Sequence, residues 1–256
     1  MIKFIWLKEI KGEFYTWKGT VWLVIASLLL SITSYLLLTD KELSLLDQTE
    51  LLWLLSKIII GAGLLIVAIE ASSVLTIEFE TDTAEDLFLA PITLYEILSG
   101  KVLFVVTLWL FVLLVSVPYI LVTSAGSHLF DAFLGYVFLF GTLAVLGFAM
   151  FVMGLSLLFR SGKNTLTTAL IVLLALVIPA LFSTSLKINS AAAFFGRINP
   201  IENIFASLDN VLVDYNTRLF QNLRFIFPLL LFCALAFMLL ALCARRFNKK
   251  GIAGYE

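Results

Sequence analysis

Residues able to do chemistry are sparse in this chain, and most of them sit together. The stretch EFETDTAEDLFLAPITLYEILSGK, Glu78 to Lys101, sets the carboxylates Glu78, Glu80, Asp82, Glu85, Asp86 and Glu96 directly between two long apolar segments. Thr83 followed by Glu85 and Asp86 reads as a helix start, because a hydroxyl caps exposed N–H groups and first-turn carboxylates suit the positive end of the helix dipole. Leu87, Phe88 and Leu89 add an apolar patch, and Pro91 stops or bends that helix. The expected product is a short helix, acidic at its start and apolar further on, which can carry force if a partner grips it. A solvated acidic turn is the alternative.

The other candidates are thinner. Lys57 and Glu70 lie in one apolar run, roughly 20 Å apart along a helix, so they cannot pair directly. Each is read either as reaching a membrane boundary or a polar neighbour, or as lining a pathway. His128 has only Asp131 nearby, and two ligands make a poor metal site, so no metal is expected. In LFRSGKN, Gly162 and Lys163 suggest a phosphate loop, but Leu157 stands at its first glycine and Asn164 at its hydroxyl residue. The chain therefore does not bind ATP by that route, and it is not read as an enzyme.

The elements that hold these residues follow from composition. Of 256 residues, 61% are hydrophobic and 14% charged, and the mean hydropathy is +1.06. Soluble domains run at about 45–50% apolar and about 25% charged, so the sequence reads as an all-α integral membrane protein. A net charge of −1 offers no basic face for nucleic acid. Six apolar runs are long enough to span a bilayer, near Thr20 to Leu38, Leu51 to Ile77, Ile97 to Val122, Phe133 to Phe159, Leu166 to Leu186 and Phe225 to Ala244. They are continuous and lack the alternation of a membrane barrel. No room is left for a folded soluble domain, so residues 1–256 are read as one transmembrane domain. Cys233 and Cys243 stand too far apart along one helix for a disulfide.

Orientation follows from basic residues in the short connections. With the N-terminus in the cytoplasm, eleven fall inside: Lys3, Lys8, Lys11, Lys18, Lys101, Arg160, Lys163, Arg245, Arg246, Lys249 and Lys250. Five, Lys41, Lys187, Arg197, Arg218 and Arg224, fall outside. Both termini are thus expected in the cytoplasm, together with the acidic stretch. The polar, basic start MIKFIWLKEIKGEFYTWK reads against a cleaved signal peptide. Its Trp6, Ile10, Phe14 and Trp17 fall at helical spacing, which predicts an interfacial helix over 1–18. In the outer segment 187–224, Asn199 reads as a cap and Pro200 as the first helical residue. Ile201, Ile204, Phe205, Leu208, Val211 and Leu212 then form one apolar face. Gly147 and Gly154, seven apart, share a face that admits a close neighbour, and Pro118, Pro179 and Pro228 lie in or beside spans.

The acidic stretch resembles the signature of the type-2 ABC exporter permeases, approximately E-R-E-x-G-T-x-E-x-L, then P, then a short spacer and G-K leading into the third span. Glu78, Glu80, Thr83, Glu85, Leu87, Pro91, Ile97, Gly100 and Lys101 match in order and spacing. Phe79 stands where a basic residue is usual, Asp82 where glycine is usual and Ala84 where an aliphatic residue is common. The N-terminal helix, six spans, the Asn199–Pro200 pair and the basic end ARRFNKK extend the likeness along the chain.

The resemblance implies that Glu78 to Pro91 forms a coupling helix, within a cytoplasmic segment 78–95, seated on a separate ATPase subunit. It implies two such ATPases holding ATP and Mg, a second permease copy or a related chain, residence in the cytoplasmic (inner) membrane, and export. No cofactor is expected in this chain itself. Two other classes fit the hydropathy: an ion-coupled secondary transporter, and a non-transporting membrane scaffold or immunity protein.

Overall fold

In lipid every backbone N–H and C=O must be satisfied internally, and the continuous apolar runs meet that demand as helices. The structure, a computed structural model, describes residues 2–39, 47–81, 92–125, 129–181, 196–212 and 219–250. Among the described residues there are eight helices of 13 residues or more. They are α1 (Ile2–Tyr15), α2 (Lys18–Thr39), α3 (Gln48–Glu80), α4 (Leu94–Thr123), α5 (Phe130–Phe159), α6 (Gly162–Leu181), α7 (Pro200–Leu212) and α8 (Leu219–Lys250). Six of them, α2 to α6 and α8, are long and apolar enough to cross a membrane, and they coincide with the six runs read from the sequence.

Local chemistry sets several helix boundaries. Thr93 starts α4 with a reciprocal cap: its hydroxyl accepts from the Glu96 N–H at 3.3 Å, while the Glu96 carboxylate accepts from the Thr93 N–H at 3.0 Å. Glu96 is thereby accounted for as a capping residue. Arg160 ends α5 in the left-handed region, with φ 51°, and α6 begins two residues later. Trp17, with φ 64°, turns the chain between α1 and α2. It is therefore not on the helical face with Trp6, Ile10 and Phe14, as its spacing had suggested.

Helices α3 and α5 form the centre of the bundle. Their apolar stretches are 56% and 61% buried, against 22% for α2, α6 and α8 at the periphery. The outward residues of those peripheral helices, such as Val21, Leu28, Ile32, Ile171, Phe227 and Leu242, are large and apolar, as a lipid environment requires. One end of the bundle gathers α1, the end of α3, the start of α4 and the α5–α6 turn. The opposite end carries α7. There the Gln48 side chain donates to the Ala125 carbonyl at 2.7 Å, and the Trp53 indole donates to the Phe205 carbonyl at 3.0 Å.

Helices in lipid gain little from excluding water, so they associate where small residues let backbones approach. Trp109 of α4 is fully buried, and its indole fits between Gly63 of α3 and Gly141 of α5. A methyl group at either glycine would overlap the ring. The indole N–H donates to the Thr142 hydroxyl at 3.1 Å, so its one polar atom is satisfied. Gly147 and Gly154 face α8, where Phe232 with Cys233 and Leu239 with Leu240 fill the space seven residues apart. The close neighbour expected from their spacing is α8. Pro118, Pro179 and Pro228 lie inside α4, α6 and α8, and Cys233 and Cys243 are free thiols on α8.

Trp109 makes the bundle intolerant of added volume at two points. Gly63→Val or Gly141→Val should lower stability by about 1–3 kcal/mol through overpacking. Gly61→Ala, whose side would meet open space, should leave the thermal midpoint in detergent unchanged. Equal midpoints for the valine variants and wild type would remove Trp109 as the packing centre.

Candidate functional site

Lys101 lies in the second turn of α4, and a lysine that close to an apolar core needs a full set of acceptors. Its side chain is 1% exposed. The ammonium donates to Glu9 Oε1 at 3.1 Å, to Glu78 Oε1 at 2.9 Å and to the Val74 carbonyl at 2.7 Å. Three donors meet three acceptors, drawn from α1 and α3. Gly100, the preceding residue, makes this possible, because a Cβ there would stand 2.9 Å from the side chain of Ile5. Glycine lets α1 approach and lysine holds it.

The neighbours of Glu78 hold other elements. Glu80 Oε1 accepts from the Gly162 N–H at 2.7 Å, placing a carboxylate at the positive end of α6. Phe79 packs 5.8 Å from the Phe247 ring of α8, and the Arg160 guanidinium lies 5.7 Å from the Phe79 ring. Three consecutive residues thus reach α4 with α1, α8, and α6. Ile97 is fully buried in the core. Asp82, Thr83, Glu85, Leu87 and Pro91 lie outside the described residues. The structure therefore joins Glu78, Gly100 and Lys101 in one cluster, with Glu80 beside it at the end of α3, against the start of α6.

Glu70 and Lys57 engage opposite sides of the bundle. The Trp22 indole of α2 donates to Glu70 Oε1 at 2.5 Å, and Glu70 is buried. Lys57 Nζ sits 3.4 Å above the Trp53 ring and 5.7 Å from the Phe205 ring of α7. As expected, they do not meet. On α7, Asn199 caps the helix, accepting from the Ile201 N–H at 3.0 Å and the Glu202 N–H at 3.4 Å. Ile201, Ile204, Phe205, Leu208 and Val211 are all buried, so the apolar face read from the sequence packs on the bundle. Its sixth member, Leu212, has a side chain outside those described.

Three contributors escaped the sequence reading. Glu9 was hidden among flanking lysines, and only the fold brings it 92 positions along the chain to Lys101. Trp109 carries no signal in the sequence that sets it apart from the other aromatics of the apolar runs. Glu13, half-buried beside Gly19 on α2, has its carboxyl raised from 4.5 to about 7 by burial and then by the Glu70 carboxylate, with Lys18 opposing and Glu9 adding. Asp131 lies in the first turn of α5, and His128 is outside the described residues. Among the described residues no group of His, Cys, Asp or Glu is arranged to hold a metal ion. Comparison with family profiles, with curated proteins and with solved structures finds no match to this chain.

Removing the ammonium would leave two carboxylates facing one another without a counter-charge. Lys101→Met should destabilise the chain by about 3–5 kcal/mol. Adding Glu9→Gln and Glu78→Gln should return part of that loss, since no uncompensated charge then remains. Thermal unfolding of the purified chain tests both, and a K101M midpoint equal to wild type would show the cluster to be energetically idle.

Glu13 imposes a pH dependence of opposite sense to an ordinary salt-bridged acid. Its folded-state value lies above the ordinary 4.5, so between 4.5 and about 7 the folded chain holds the extra proton. Its contribution to stability is fully present below 4.5, is lost as pH rises through that window and is flat above it. Glu13→Gln should remove this slope in unfolding midpoints measured across the window; an unchanged slope would assign it to another group.

Proposed function

We propose that this chain is the membrane-spanning permease subunit of an ATP-driven exporter, working with separate ATP-binding subunits. The observation that carries the reading is the ordered match at Glu78, Glu80, Thr83, Glu85, Leu87, Pro91, Ile97, Gly100 and Lys101. It straddles the connection from α3 to α4, where such a permease meets its ATPase. The absence of a phosphate loop of its own fits a complex in which ATP and Mg are held by a partner.

The contacts flanking that connection suit the transmission of force. A displacement applied between Thr81 and Thr93 is passed by Glu78 and Lys101 to α1, by Phe79 to α8 and by Glu80 to α6. Elements tied this way move together, so the segment acts as a handle on half of the bundle. In the proposed cycle, ATP closes two ATPases, each draws its gripped connection inward, and a pair of permeases changes from an inward-open to an outward-open arrangement. This is a two-state switch biased by ligand.

The excess of basic residues at the α1 end supports a cytoplasmic location for that end and for both termini. Lys101 is itself inside the bundle, and the asymmetry stands without it. In this reading α1 lies at the cytoplasmic boundary of the inner membrane. Trp6, Ile10 and Phe14 turn toward the bundle, and Phe4, Tyr15 and Trp17 are exposed to the headgroup region.

Affinity purification of the tagged chain in mild detergent should recover a soluble protein carrying a phosphate-loop lysine. Glu85→Lys should abolish that recovery at normal yield of the chain. Glu80→Gln serves as a control that weakens the α6 cap without reversing charge, and it should retain the partner. Recovery of the chain alone under several detergents would overturn the permease reading in favour of a scaffold or an ion-coupled transporter.

A further inference from the structure

Where α5 ends, α8 runs past it and leaves a groove that is open to the outside. Its volume is about 240 Å³, and it is lined by Leu157, Leu158, Leu242, Cys243, Arg246 and Phe247. Leu158 and Leu242 are 50% and 56% exposed, on the side of the bundle that lipid covers. Among the described residues of the lining Arg246 is the one that carries a charge, and it is exposed. The apolar run of α5 stops at Phe159, so this groove lies at the boundary between hydrocarbon and headgroups.

Among the described residues, two further cations stand near the groove. The Arg160 guanidinium lies 5.1 Å from the Phe247 ring that forms part of the wall, and the exposed Lys163 follows in the first turn of α6. Among the described residues, the carboxylates on this side are engaged elsewhere: Glu80 accepts from the Gly162 N–H, and Glu9 and Glu78 hold Lys101.

We propose that the groove between the ends of α5 and α8 binds an anionic phospholipid, its phosphate at Arg246 and an acyl chain along Leu158 and Leu242. Both halves of the ligand are matched by the lining. A free anion would engage the arginine and leave the leucines unused, whereas a zwitterionic lipid carries its own cation to a basic rim. Binding there braces the contact between α5 and α8 next to Phe79. The proposal requires only that the six apolar helices cross a bilayer and is independent of the permease reading.

The test reconstitutes the full chain with an equimolar mixture of phosphatidylglycerol and phosphatidylcholine, followed by detergent washing and mass spectrometry of the lipid retained. Wild type should retain phosphatidylglycerol preferentially, and Arg246→Gln should reduce that preference about fivefold. Leu242→Trp, which fills the apolar half and alters no charge, should lower retention of phosphatidylglycerol at an unchanged unfolding midpoint. Equal retention of the two lipids, or a wild-type preference in R246Q, overturns the proposal. Displacement of the lipid by excess inorganic phosphate, with full retention in L242W, overturns it in favour of a site for soluble anions.

Discussion

The arrangement of this bundle depends on one buried ammonium. A lysine inside an apolar bundle is unfavourable by several kcal/mol unless every donor finds an acceptor, and Lys101 finds Glu9, Glu78 and the Val74 carbonyl. Because the acceptors belong to α1 and α3, satisfying the charge also fixes where those helices stand against α4. Specificity, rather than net stability, is what such a cluster supplies. An apolar side chain could fill the space, but it would not dictate which faces of three helices meet.

Around that point, packing is set by glycine and by indole. With lipid as apolar as leucine, hydrophobicity alone does not choose helix partners, and close approach does. Gly63 and Gly141 receive the Trp109 ring, while Gly147 and Gly154 receive α8 at two points two turns apart. Each glycine is a place where the contact surface of a neighbour replaces a side chain. The peripheral helices α2 and α6 keep broad apolar faces to the outside, and α2 is joined to the centre by two polar contacts at depth. These are the Trp22 indole with Glu70, and Ser27 with Tyr119 at 2.9 Å.

The acidic stretch looks different once folded. Its six carboxylates read as one group, yet Glu78 neutralises a lysine, Glu80 caps a helix of another element and Glu96 caps its own. Those roles are compatible with a force-bearing connection, since the residues that would be gripped and the residues that distribute the load are adjacent in the chain. They also separate two functions within the pattern: Glu78, Glu80, Gly100 and Lys101 build the bundle, and the residues between them are where a partner would act in the proposed permease.

Much was legible before the fold was known. The six spans follow from the length of apolar runs against bilayer thickness, and the cap at Asn199 with its five buried apolar followers follows from local hydrogen bonding and helical period. The approach of a neighbour at Gly147 and Gly154 follows from spacing on one face. These are properties of single segments, and periodicity within a segment is written in the sequence. Tertiary structure alone decided that the neighbour is α8, that Glu9 meets Lys101, that Trp109 rests between two glycines and that Trp17 leaves the helical face. The physical reason is range. Helix formation in an apolar solvent is settled by consecutive residues, whereas the partner of a buried charge or the filler of a glycine notch is settled by side chains tens of positions away, whose meeting depends on how all the helices pack at once.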